Sequence, residues 1–422
     1  MQAKSLLLAG GALLAATTGV QASGFQVGLS GQKNVGMGGT GTGLYLDQAA
    51  QFYNPGAFVF VAYNSVQGGL NMAIPRISFR GDGGGPQETL QNKNVFPFNG
   101  YAGYSISEKF KVGVGFYTPF GSELHYAQGW TGRYTLTDIN LRSVFGQVTA
   151  SYAITPKLGI GAGLVVLAYG DVDLQRDIPI QGQNGAVAHA ALTGKADHKV
   201  GYNVGIMYKP SDKFSIGASY RSAIDARISS GDVTVSNVPA SVASNFTARN
   251  FSATLPLPAV YSLGLGVRPT EQLTLALDAN LVDWSTYKSL DFTYTGGVLG
   301  GANATSSSSV RNYKAALALR VGGQYKVSDK FMVRAGGFYD FSCVRDGYVT
   351  PETPDAARVG LTAGFTYQVS EHFGIDGSFL FEDFAKRSQS QADLLANNTT
   401  DRVAGTYKTV ISVPGIGVHY KF

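Results

Sequence analysis

Five histidines (His125, His189, His198, His372 and His419) and one cysteine, Cys343, are the side chains here best suited to nucleophilic or metal chemistry. No histidine sits at a spacing that suggests a Ser/His pair or a metal site. Cys343 lacks the His/Asn arrangement of a nucleophile, and a single cysteine excludes an intramolecular disulfide framework. Gly36, Gly38 and Gly41 satisfy G-x-G-x-x-G formally. A dinucleotide site would need a strand before them and a helix after, within a βαβ unit, whereas an export signal precedes them here. Enzyme chemistry and a cofactor are therefore not expected. Charge remains: Lys314 and Arg320 share one parity of "NYKAALALRVGG", opposite Leu317, Leu319 and Val321. Fixed cations of this kind either stabilise an arriving carboxylate or pair with an internal acid. Which of these applies depends on the elements that carry them.

Composition narrows those elements. Charged residues make up 14% of the 422, well below the roughly 25% of an average soluble domain, while aromatics reach 12% and glycines number 55. The net charge of +5 is scattered rather than clustered, so nucleic acid is not an expected partner. Residues 1–22 read as a cleavable signal peptide: Lys4, the apolar stretch "SLLLAGGALLAATTGV", then "VQA" before Ser23. The apolar run is too short for a transmembrane helix.

Period-two alternation dominates the remainder. Phe214, Ile216, Ala218, Tyr220, Ile224 and Ile228 share one parity, against Ser215, Gly217, Ser219, Arg221, Asp225 and Arg227. Phe331, Val333, Ala335, Tyr339 and Phe341 oppose Arg334 and Asp340. Aromatic-capped apolar faces opposite glycine-rich polar faces suit strands with lipid outside and a polar lumen inside. Fourteen strand candidates lie near 63–80, 94–106, 109–122, 138–154, 158–174, 196–209, 213–229, 250–268, 271–295, 311–327, 330–342, 357–369, 372–386 and 405–422. Six polar phrases punctuate them as tight turns: "ISEKF", "ITPKL", "KPSDKF", "RPTEQL", "KVSDKF" and "VSEHF". The seven intervening connections (81–93, 123–137, 175–195, 230–249, 296–310, 343–356 and 387–404) are longer. Short turns on one side and long loops on the other mark a bacterial outer-membrane barrel. The expected fold is thus all-β, a 14-stranded antiparallel transmembrane β-barrel over 63–422. Its last strand places Ile416, Val418, Tyr420 and Phe422 on one face. An aromatic terminus after such alternation resembles the signal read by the barrel-assembly machinery, with Tyr420 and Phe422 carrying it.

Residues 23–62 do not alternate and, being compact and glycine-rich, could fill the lumen as a hatch, since fourteen strands enclose more space than their side chains can. At this point the chain resembles the FadL long-chain fatty-acid transporters and the related TodX-like aromatic hydrocarbon channels. "SGFQ" at 23–26 resembles their mature start. "YNPGAF" (Asn54, Pro55, Gly56) resembles their Asn-Pro-Ala hatch motif with glycine for alanine. "FYTPFGSEL" resembles their third strand, and "LVDWSTYKSLDF" their Trp-Ser strand.

The resemblance implies passive uptake of a long-chain fatty acid or another hydrophobic molecule. The ligand is caught at extracellular loops, passed to a lumen pocket and released sideways into outer-membrane lipid at a third-strand kink. In "TPFG" Pro119 cannot donate to the ladder and Gly121 weakens packing, so Pro119, Phe120 and Gly121 mark either that kink or simply a strand end. Lys314 falls where the family's carboxylate-binding lysine sits, and Arg176, with Gln175 as the alternative, where its arginine partner sits. Phe25 resembles the residue that plugs the inner pocket. Arg221, Arg334, Asp278, Asp340 and Glu382 are expected in internal pairs that hold the wall. Apolar residues in the loop at 175–195 suit either a capture groove or ordinary loop packing. A monomer is expected. An uncharged-hydrocarbon channel and a non-specific porin are the competing readings.

Overall fold

The computed structural model describes residues 24–422 apart from residues 92, 182–186, 302 and 400; the expected signal peptide lies outside the described residues. Fourteen antiparallel strands close into a barrel. The first seven are β1 (Ser65–Asn71 and Ile74–Gly81), β2 (Glu88–Thr89 and Phe98–Ser107), β3 (Phe110–Tyr117 and Gly121–His125), β4 (Asp138–Thr155), β5 (Leu158–Gln181), β6 (Val187–Lys195 and Lys199–Ser211) and β7 (Phe214–Arg221 and Ile224–Ser236). The second seven are β8 (Asn250–Leu257 and Val260–Val267), β9 (Leu273–Val282 and Ser289–Thr295), β10 (Ser306–Val310 and Ala316–Lys326), β11 (Phe331–Asp340), β12 (Arg358–Gln368), β13 (Phe373–Phe384 and Arg387–Gln389) and β14 (Gly405–Lys421). Val66 of β1 lies opposite both Ala102 of β2 and Tyr420 of β14, which closes the ring. Closure gives every strand a neighbour on both sides. Each short turn falls on one of the six polar phrases.

The alternation sorts as expected across the membrane. Leu164, Val200, Leu263, Leu361 and Ile416 are all more than half exposed on the outer face. Tyr420 and Phe422 point outward with them, and the Phe422 N–H donates to the Asn64 carbonyl at 3.1 Å.

The inner face is glycine-rich for a reason that periodicity does not reveal. Residues 24–64 pack against the inner face of the wall and approach it backbone to backbone. A Cβ on Gly38 (φ +71°) would stand 2.6 Å from the Val321 carbonyl oxygen, and one on Gly43 within 2.7 Å of Gly264. The wall answers with its own glycines, Gly161, Gly205, Gly264 and Gly322. The motif Gly36–Gly41 is therefore a packing feature. Three short helices, α1 (Gln32–Gly36), α2 (Ala50–Tyr53) and α3 (Pro55–Phe58), leave much of the segment's backbone unpaired. Polar wall side chains satisfy it: Asn99 donates to the Leu29 carbonyl (3.0 Å), Ser215 to Gly43 (2.7 Å), Ser151 to Pro55 (2.7 Å) and Gln147 to Gln51 (2.7 Å). One Asp278 carboxylate oxygen accepts from the N–H groups of both Gly41 and Thr42 at 2.8 Å. Buried irregular backbone is stable in a barrel only with such partners.

Two expectations change. Residues 175–181 and 187–195 are strand rather than loop, and so are residues 230–236 at the start of the next long connection. Asp171 through Ile178 pair with Lys195 through Ala188, and His189 to Thr193 pair in turn with β7. Their apolar residues have only one another to bury against, and an extended sheet over Leu192, Phe251, Tyr294 and Leu299 does this. The single parity from Phe214 to Ile228 also fails. A break at Ser222 and Ala223 shifts the alternation, so Ile224 is buried inside although Ile216 faces out.

Candidate binding cavities and a gap in the wall

β3 runs regularly to Tyr117, stops, and resumes at Gly121. Below the break it pairs with β2 as far as Asn99 opposite Tyr117. Above it, the resumed segment pairs only with β4, Gly121 opposite Arg142. The chain on the other side leans away, toward β1: Val95 bridges Ala73, and the Asn71 N–H donates to the Pro97 carbonyl. The two sides meet again at the top, where the Gln91 N–H donates to the His125 carbonyl at 2.8 Å. At the bottom, Thr118 Oγ bridges the N–H and carbonyl of Phe98. Between these ties the described residues carry no ladder across the break. The backbone freed by the break is satisfied from inside: Val27 N–H donates to the Pro119 carbonyl (2.8 Å) and Gly121 N–H to the Phe25 carbonyl (3.1 Å). Pro119, without an N–H, sits where a donor would have been stranded.

Behind the gap lies a cavity of about 600 Å³, within the roughly 300–1,000 Å³ usual for small-molecule sites. Its gap side is mostly apolar, with Phe25, Val27, Ile77, Phe96, Phe98, Phe120 and Leu124. Its side toward α2 is polar, with Tyr53, Asn203, Ser219, Arg221 and Asn280. A second cavity of about 100 Å³ lies among the extended strands and is lined by Leu174, Leu192, Ile228, Phe251, Leu257 and Phe292. Phe25, Phe120 and Leu141 border both. The Phe25 ring is held edge-on by Trp284 (4.7 Å between centroids), Phe120 (6.1 Å) and Tyr287 (6.4 Å). Trp284 reaches it because β9 breaks into a 3₁₀ turn, Trp284–Thr286, started by the Asp283 carboxylate accepting from the Ser285 N–H.

Among the sequence-predicted residues, Phe25, Phe120 and Gly121 line the larger cavity and Pro119 lies at the break beside it. Asn54 joins α2 to α3, and Pro55 and Gly56 open α3 against the wall. The buried Asn54 side chain accepts from the Gly56 N–H (2.9 Å) and donates to the carbonyls of Thr42 (2.8 Å) and Ile206 (3.0 Å). Lys314 and Arg176 line neither cavity. Lys314 lies in the break of β10, just before Ala316, with Arg345 and Arg387 nearby. Arg176 is exposed on the extended part of β5, opposite Ala190. Arg320, of the same parity as Lys314, lines the larger cavity, but parity could not give height along the barrel.

The five residues expected to hold the wall by ion pairs divide. Asp340 pairs with Arg320 (3.1 Å) and Arg358 (2.9 Å), and Glu382 with Arg358 (3.4 Å). Asp278 serves the N-terminal backbone. Arg334 donates to Gln324 and Thr366, and Arg221 to the Tyr117 hydroxyl and the Phe52 carbonyl. The roof over the cavity, Glu352 to Asp355, gave no sequence signal. It is fixed by the buried Arg311–Glu352 ion pair and by Tyr126 donating to the Pro351 carbonyl at 2.8 Å.

A closed barrel with an apolar outside, an occupied lumen and apolar cavities behind a wall gap defines an outer-membrane channel for hydrophobic molecules. The family described as outer membrane protein transport protein (OMPP1/FadL/TodX) matches residues 13–422, and the chain belongs to it. The chain is similar to the 47 kDa outer membrane protein of Pasteurella multocida, 24% identical over 439 residues that cover 97% of each chain. In fold it resembles a FadL homologue of Pseudomonas aeruginosa (TM-score 0.81, 20% identity, 95% of this chain and 100% of that one). It also resembles the toluene transporter TodX of P. putida (TM-score 0.69, 16% identity, 96% and 99%). These are transport proteins rather than enzymes.

Proposed function

We propose that the protein takes up long-chain fatty acids, or amphipathic molecules of that kind, passively and as a monomer, with residues 24–62 as a fixed hatch. The ligand is first held by the predominantly apolar second cavity. It then passes Phe25 into the larger cavity and leaves through the gap beside Pro119 into membrane lipid. The observation that carries this reading is the gap itself, backed by a cavity that is mostly apolar on the gap side and polar at its far end. Burying a tail is worth about 0.8 kcal/mol per CH₂, so release of a long chain into water would cost on the order of 10 kcal/mol, whereas release into lipid does not incur it. The second reading, a channel for uncharged aromatic hydrocarbons, is favoured by the predominantly apolar second cavity and by the toluene transporters among similar folds.

Equilibrium binding to the purified protein in detergent separates the two. Oleate is expected to bind at least tenfold more tightly than oleyl alcohol, about 1.4 kcal/mol; equal binding favours the hydrocarbon channel. Phe25→Ala removes the ring shared by both cavities and is expected to speed oleate dissociation at least fivefold, measured by stopped-flow displacement. An unchanged rate would deny Phe25 its separating position.

A further inference from the structure

We propose that Arg221 holds the anionic headgroup of the ligand, at the end of the larger cavity that abuts α2. The inference rests on the fatty-acid reading and adds the residue that distinguishes an acid from a neutral molecule. Four arginines line this cavity: Arg142, Arg221, Arg320 and Arg358. Arg142 is paired with Asp171 at 2.8 Å. Arg320 and Arg358 share Asp340 and Glu382, two cations against two anions, so that cluster offers no net charge to a ligand. Among the described residues, Arg221 alone of the four has only neutral partners: one Nη donates to the Tyr117 hydroxyl at 2.8 Å, the other to the Phe52 carbonyl at 2.7 Å.

A guanidinium has five N–H donors, so these two bonds leave three for a ligand. Its plane is fixed over the Phe52 ring at 4.1 Å, with Tyr117 at 5.6 Å, and it needs no further ordering to bind. An unmatched charge at membrane depth is expensive and is retained where something charged is bound. A carboxylate matches the fork with two charge-assisted hydrogen bonds. Position supports the same assignment. Tyr117, which holds Arg221, is the last regular residue before the gap in β3, and its ring stacks on Phe145 at 6.3 Å, which meets Phe120 at 6.1 Å. A headgroup on Arg221 leaves the tail to the apolar part of the same cavity, along Phe25, Phe120 and Phe98 toward the opening.

The test is the affinity ratio of oleate to oleyl alcohol for wild type, Arg221→Met, Arg221→Lys and Lys314→Met. Each is first checked for the heat-dependent electrophoretic mobility of a folded barrel. The expected result is a wild-type ratio of ten or more that falls below two in Arg221→Met, through loss of oleate affinity alone. Arg221→Lys keeps part of the preference, and Lys314→Met keeps all of it. A preference that survives Arg221→Met overturns the assignment while leaving fatty-acid transport intact, and loss of it in Lys314→Met would transfer the role there. No preference in wild type overturns the assignment and the fatty-acid reading together.

Discussion

Replacing Thr118 with tryptophan is expected to lower oleate uptake by cells more than tenfold while changing equilibrium oleate affinity less than threefold. Thr118 stands at the lower edge of the gap, where its hydroxyl bridges both backbone groups of Phe98, and it lines the cavity. An indole there occupies the opening between Phe98 and the resumed strand at Gly121. Losing the two hydroxyl bonds, at roughly 1 kcal/mol each, is small against a barrel whose ladder is otherwise intact. The polar end of the cavity, around Asn203 and Arg221, is untouched. Binding and exit are thereby separated. Uptake at the wild-type rate would mean that the ligand leaves elsewhere.

Gly56→Val should have the second large effect, unseating the N-terminal segment and opening the lumen. A Cβ at residue 56 would stand 2.6 Å from the Gly205 carbonyl oxygen and 2.7 Å from the Ile206 Cα. All its close neighbours are wall backbone, which no rotamer change can move. Overpacking costs about 1–3 kcal/mol where neighbours can yield, and more here. The displacement also breaks the Asn54 hydrogen bonds to Thr42 and Ile206, leaving buried groups unpaired at roughly 1–3 kcal/mol each. The expected readout is stable single-channel conductance in planar bilayers, with protease cleavage inside residues 32–62, neither present in wild type. A silent, protease-resistant variant would show that the segment tolerates separation from β6 at this point.

Much of this architecture could be read from the sequence because lipid imposes a strict period of two on every strand, and because polar turns interrupt it at regular intervals. The outward faces of β11 and β14, Phe331 to Tyr339 and Ile416 to Phe422, sort as the alternation requires. The inner face was legible only as composition. Its glycines, such as Gly161 and Gly264, face another backbone, and nothing in one sequence states which backbone comes close. Breaks were harder still. Pro119 marks one plainly, but Ser222 and Ala223 are unremarkable residues, and their break inverts the faces from Ile224 to Ile228, where a bulge shifts the register again. Lys314 and Arg320 share a parity, yet one lies outside both cavities and the other lines the larger one. Parity fixes direction, not depth, and it cannot show which cation already has an acid beside it. That last property separates Arg221 from Arg320 and Arg358, and it appears only when the strands are placed side by side.

The most direct test of the account is the uptake of labelled oleate by bacterial cells that lack their own outer-membrane fatty-acid transporter and express this chain. A small hydrophilic sugar is followed in parallel. Oleate is predicted to accumulate at least tenfold faster than in cells with empty vector, while sugar uptake stays at the vector rate because residues 24–62 occupy the lumen. Oleate at the vector rate together with faster sugar would contradict the account and describe a porin instead.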